Sequence, residues 1–140
     1  MAITPDINYW AVLVSAIVSM IIGMIWYNPS VFGSIWMKGI GKNEKDMQKD
    51  KEKGMAWRYI FALISSLVMS FILAHVVDYT EAVSIGRGLE AGFWIWLGFI
   101  ATTMTGMVLW EGKPWKVYFI NAGFYLVSLI IQGSILAVWT

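Results

Sequence analysis

The sequence predicts an all-α fold, an integral membrane four-helix bundle with both termini on the non-cytoplasmic side. Three observations carry this expectation. Four apolar segments, Ile7–Tyr27, Ala56–Val77, Ala91–Trp110 and Val117–Trp139, each reach the roughly 20 residues that a helix needs to cross a hydrocarbon core. The 140 residues are 59% hydrophobic and 14% charged, whereas about a quarter of a soluble domain is charged. Nine of the ten Lys and Arg residues fall in only two connections. Backbone polar groups cannot stay unpaired in lipid, so the segments are expected as helices. None shows the two-residue alternation of a membrane β-barrel.

The basic residues set the expected topology. Lys38, Lys42, Lys45, Lys49, Lys51 and Lys53, with Arg58 at the very start of the second segment, belong to the first connection, and Lys113 and Lys116 lie between the third and fourth segments. Cytoplasmic connections carry the Lys/Arg excess. The expected arrangement is one domain over 1–140, with helices at about 7–27, 56–77, 88–110 and 116–139 and a charged cytoplasmic loop over 28–55. Only Arg87 falls on the other side. One fixed orientation also means that any homodimer is parallel.

The first segment is expected to be a span, not a secretory signal. Met1–Asp6 holds no basic residue, and the apolar run is too long for a signal. Asn28-Pro29 ends it, because proline breaks the helical ladder. Val31, Phe32, Ile35, Trp36 and Ile40 then recur at helical spacing, which suggests a short helix along the inner leaflet. The charge run Lys42–Lys53 is expected to extend the second helix into the cytoplasm, with Asn43 as its cap. The nine tryptophans fall mostly near segment ends, where amphipathic rings anchor at headgroup depth. Trp94 and Trp96 are the least interfacial.

Small residues mark expected packing faces. Ala11, Ser15, Ser19 and Gly23 recur every four residues in the first helix, and Ala62, Ser66, Ser70 and Ala74 do so in the second. Gly98, Thr102 and Gly106 repeat the pattern in the third. Residues four apart share one helix face, and small residues let backbones approach closely in lipid. The fourth helix carries Asn121, Tyr125, Ser128 and Gln132 as one polar stripe. Two readings fit it: hydrogen-bonding glue between helices, or the wall of a polar path.

Charged side chains form two further candidate groups. His75 and Asp78 share a face at the outer end of helix two, with Glu90 at the start of helix three. A histidine with two carboxylates has metal-ligand chemistry, but this group sits at the water boundary, and no metal is assigned to it. Near the inner end, Glu111 is placed to pair with Lys113, Lys116 or Arg58, or to reach Asn121. No catalytic residue and no cofactor follows from any motif. The absence of Cys excludes disulfides and thiol catalysis. The net charge of +1 gives no reason to expect nucleic acid.

Asn8-Tyr9-Trp10-Ala11 through Gly23-Met-Ile-Trp26-Tyr27, Trp96-Leu-Gly98-Phe99, Glu111-Gly-Lys-Pro114-Trp115 through Asn121, and Gly133 through Trp139 together resemble small bacterial membrane proteins catalogued as domain of unknown function 1761. The resemblance runs over nearly the full length, apart from the charged inner loop. It implies a four-helix multi-pass protein of a prokaryotic cytoplasmic membrane, with no assigned activity. Small multidrug exporters, by contrast, use a carboxylate deep in helix one, and there is no acid here between Ile7 and Tyr27. Translocator proteins rich in tryptophan have five helices. The functional expectation is a non-enzymatic protein that works by helix–helix assembly, as a homo-oligomer or a subunit of a membrane complex. The alternative is a small ion, proton or solute transporter with a polar path along helix four.

Overall fold

The computed structural model describes residues 5–139. Residues 1–4, on which the reading of the N-terminus partly rests, and residue 140 lie outside them. Four helices are long and apolar enough to cross a membrane: Tyr9–Trp26, Ala56–Tyr79, Ile85–Leu109 and Trp115–Val138. We label the α-helices α1 (Tyr9–Trp26), α2 (Ser34–Gly39), α3 (Glu44–Glu52), α4 (Ala56–Tyr79), α5 (Ile85–Ile95), α6 (Gly106–Leu109) and α7 (Trp115–Val138).

Capping chemistry sets the ends. Asn8 accepts from the Trp10 and Ala11 amides and starts α1. Asn28 accepts from the Ser30 amide and hydroxyl, and Pro29 follows it at the first helical position. That turn opens as π-helix over Pro29–Gly33 before α2 begins. The expected helix after the first span is therefore present, with a π-helical entry. It folds back on α7, and its Trp36 meets the ring of Tyr27, the residue that ends α1, edge-on at 5.4 Å.

The charge run departs from expectation. It is helical, but it is a separate helix, not an extension of the second span. Asn43 caps α3 through a full capping box with Asp46. Gly54, at φ 95°, breaks the chain before α4 begins at Ala56. A left-handed residue cannot continue a right-handed helix, and glycine takes that conformation without penalty. Asp50 ties α3 to its flanks, 2.6 Å from Lys42 and 3.6 Å from Arg58.

The last helix is the hub. It packs against α1, α4 and α5, and α2 rests on its start. Its most apolar stretch is 39% buried, against 11% for the third span, which leans mainly on α7. The core gathers around Ala11, Val12, Leu73, Ala74, Val77, Leu129, Leu136 and Ala137.

Two kinds of contact hold the spans together. Between α1 and α4, Ser66 donates to the Ala16 carbonyl (3.0 Å) and Ser70 to the Val12 carbonyl (2.9 Å). Ala11, Ser15, Ser19, Ser66, Ser70 and Ala74 are all buried. Gly23 instead rests against the Phe124 ring of α7, and Ala62 is exposed, one turn beyond the contact. Between α5 and α7 the device is glycine. A Cβ on Gly92 would lie 2.7 Å from the Leu129 carbonyl carbon, and one on Gly88 2.6 Å from the Ala137 Cβ. The backbones touch at both points, so only hydrogen fits.

The small-residue face of the third span does not pack within the chain. Gly98 and Thr102 are exposed, with nothing within 4 Å of a Cβ on Gly98, and Gly106 is only half-buried. This stripe continues exposed Glu90 and Trp94, on the side of the helix away from α7. The span is α-helical to Ile95, π-helical over Trp96–Ala101 and 3-10 over Thr103–Thr105. The face toward α7 runs through Gly88, Gly92 and Trp96, then skips five residues to buried Ala101. A π turn inserts that extra residue; Gly98, two residues or roughly 200° from Trp96, lies on the opposite side.

Candidate functional site

The polar stripe of α7 faces the bundle interior, and each member meets a different environment. Nearest the charged-loop end, Asn121 Oδ1 accepts from the Tyr27 hydroxyl at 2.6 Å. Glu111 is therefore not the partner of Asn121. Among the described residues the ion pairs are those of Asp50, so Glu111 also pairs with neither Arg58 nor the two lysines beside it. Glu111 is exposed in the five-residue turn between α6 and α7. One turn along, Tyr125 is half-buried beside Phe124, ring centroids 5.0 Å apart.

Deeper in, Ser128 and Gln132 are both 0% exposed. Gln132 reaches across to α1, where its Nε2 donates to the Ser15 carbonyl at 3.1 Å. Ser15 is likewise 0% exposed. Ser15 Oγ, Ser128 Oγ and Gln132 Oε1 have no hydrogen-bond partner among the described residues. This cluster of uncharged polar atoms joins two stripes that the sequence shows separately.

At the end bearing both termini, the bundle opens into a cavity of about 180 Å³ between α1, α4 and α7. Its walls include the carboxylates Asp6, Asp78 and Glu81, and its apolar lining includes Ala11, Ala74 and Leu136. Glu81 forms one lip in the left-handed region, φ 53°. It occupies the usual glycine position of a helix-ending motif in which Ala82 donates to Val77 and Glu81 to Asp78.

His75, Asp78 and Glu90 do not converge. His75 Nδ1 lies 2.8 Å from the Phe71 carbonyl and its ring stacks edge-on against Phe71. Asp78 faces the cavity, while exposed Glu90 accepts from the Trp94 indole at 3.4 Å. Among the described residues no group of three His, Asp or Glu side chains is arranged to hold a metal.

Sequence reasoning missed one set of contacts altogether. Trp26 donates from its indole to the Ile120 carbonyl and Trp96 to the Ala122 carbonyl, each at 2.8 Å. Tyr118 donates to the Ala101 carbonyl at 2.7 Å, where the π segment ends. These aromatics act as cross-helix donors as well as sitting near segment ends. Nothing in their spacing distinguishes the two uses.

The long helices define a multi-pass membrane protein of four candidate spans. Residues 10–137 match the family model described as "Protein of unknown function (DUF1761)", and the chain belongs to that family. No curated protein and no solved structure is similar enough to match.

Proposed function

We propose that this is a non-enzymatic membrane protein that works by helix–helix assembly, as a parallel homo-oligomer or as a subunit of a larger membrane complex. The exposed small face of the third span supports this reading. Gly98 and Thr102 are open to the surroundings, and this span is the least covered of the four. Small exposed residues in a lipid-facing helix are suited to a second helix backbone. The test is native mass spectrometry after extraction in mild detergent. The expected result is an oligomer or a stoichiometric complex that Gly98→Leu dissociates without unfolding the monomer. A clean wild-type monomer with no copurifying partner overturns the proposal.

A second reading, a small transporter, has its own support. The seam from Asn121 through Tyr125 and Ser128 to Gln132 lies inside the bundle, below a cavity with three carboxylates. Reconstituted liposomes should then pass ions, protons or solute, and Asn121→Leu and Gln132→Leu should both slow the flux. Wild-type liposomes without flux would leave the seam as structural hydrogen-bonding glue.

A further inference from the structure

We propose that Lys38, Lys113 and Lys116 form a surface that binds the phosphates of anionic lipid headgroups, where α2 docks on the start of α7. A close contact assembles it. A Cβ on Gly39 would run into the Val117 side chain and lie 3.6 Å from Pro114 Cγ. Lys38 precedes that glycine, Lys113 the proline and Lys116 the valine. Consecutive Cα atoms are about 3.8 Å apart, so all three lysines start one residue from the same contact.

None of the three has an anionic partner. Among the described residues the ion pairs join Lys42 and Arg58 to Asp50. The lysines of α3 stand among Glu44, Asp46, Asp50 and Glu52, so that helix carries three basic and four acidic residues. Beside Lys113 and Lys116 the one carboxylate of the turn is Glu111, exposed and outside both ion pairs. The excess positive charge of this end therefore sits where α2 meets α7, and not along α3.

The apolar neighbours select a lipid over a soluble anion. Ile35 is exposed three residues before Lys38, and Phe119 is exposed three residues after Lys116. Residues three apart are neighbours on a helix surface. Exposed Trp115 lies against Phe119, ring centroids 6.2 Å apart, and indoles settle at headgroup depth. Lysines on such a face lay their stems along apolar surface and hold their ammonium groups in the polar layer. A nucleic acid or an acidic soluble protein would leave Ile35 and Phe119 in water. A bilayer covers them and supplies phosphate at the level of the lysines. On the expected topology this end meets the cytoplasmic leaflet, which carries anionic lipid. The surface belongs to α2 and α7, away from the exposed face of the third span, so it is independent of the assembly reading.

The test is native mass spectrometry of the full chain in a neutral detergent, titrated with phosphatidylglycerol and, separately, with phosphatidylcholine of the same acyl chains. Each lysine near an anionic surface strengthens binding roughly fivefold, so three of them predict a preference of up to about a hundredfold for phosphatidylglycerol. Lys38→Gln, Lys113→Gln and Lys116→Gln combined should reduce that preference to near nothing. Lys45→Gln, Lys49→Gln and Lys51→Gln combined, an equal loss of charge within α3, should leave it intact. Four results overturn the proposal. They are equal binding of the two lipids by wild type, a preference that survives the first triple variant, an equal loss in the α3 variant, and displacement of phosphatidylglycerol by equimolar inorganic phosphate. The last would make this a site for a soluble anion. If the first variant does not fold, the wild-type lipid comparison and the phosphate competition decide the matter.

Discussion

Gly92→Ala puts the α5–α7 contact to a direct test. The added methyl would lie 2.7 Å from the Leu129 carbonyl carbon and 3.1 Å from the Ile130 Cα, and both are backbone atoms. Ordinary contact begins near 3.4 Å. The two helices must therefore separate by about 0.7 Å at the least, because no side chain is there to rotate away. A gap of 0.5–1 Å already forfeits roughly a quarter to a half of each dispersion contact along the seam. Overpacking costs about 1–3 kcal/mol in well-packed cores, and a backbone clash belongs at the upper end of that range. About 2.8 kcal/mol is a hundredfold loss in the folded-to-unfolded ratio. Gly98→Ala is the control, in the same span with open space around it. There the change has no clash, and replacing a helical glycine by alanine gains up to about 1 kcal/mol. Reversible unfolding in detergent, followed by tryptophan fluorescence, compares the two. If Gly92→Ala matches wild type while Gly98→Ala is damaged, the buried side of the third span has been assigned wrongly.

Ser66→Ala and Ser70→Ala each remove one hydroxyl bond between α4 and α1; each should lower stability by about 0.6–1.7 kcal/mol in the same unfolding assay, the scale of such bonds in lipid. The Asp50 carboxyl is held below the usual aspartate range, first by its hydrogen bond to Lys42, with the Lys42, Arg58 and Lys53 charges helping and desolvation opposing. A depressed folded-state pKa stabilises above the unfolded value of about 3.9 and is lost as pH falls through the folded value. Docking of α3 should thus be constant near neutrality and loosen only below about pH 4, seen as faster amide exchange in Glu44–Glu52; loosening between pH 5 and 7 would contradict the Asp50 assignment. On the expected topology, Lys49→Cys should resist an impermeant thiol reagent in intact cells while Asp78→Cys is labelled, and the reverse pattern refutes the orientation.

The four spans were legible because length and hydropathy are local properties. So was the serine face of α4, since its four-residue spacing holds through an uninterrupted α-helix. The third span carries two four-residue stripes. The one through Gly98, Thr102 and Gly106 faces away from α7, and the face that packs on α7, through Gly88, Gly92 and Trp96, is two residues out of step with it. Nothing in the spacing says which of two such stripes meets a neighbour within the chain. The pairing of Gln132 with Ser15 was beyond reach in another sense. Each residue was visible on its own stripe, but their meeting depends on how α1 and α7 are placed, which no local spacing encodes.

The position of α7 bears on how its polar stripe is to be understood. Polar side chains in a spanning helix are tolerated where neighbours cover them, and α7 has more helical neighbours than any other span. A polar stripe there reports centrality before it reports activity. Asn121 illustrates this, because its carbonyl is met by Tyr27 from α1. The diagnostic atoms are those that centrality leaves without a partner, and they sit on Ser15, Ser128 and Gln132. The candidate assembly surface around Gly98 is a separate feature, exposed and without close neighbours. Sites with no shared contacts act additively, within about 0.3–0.5 kcal/mol. Gly98→Leu should therefore change association while leaving the unfolding stability of the monomer untouched, and Gln132→Leu, which removes the bond to the Ser15 carbonyl, should do the reverse. Coupling between the two effects would mean that assembly and the polar seam belong to one device.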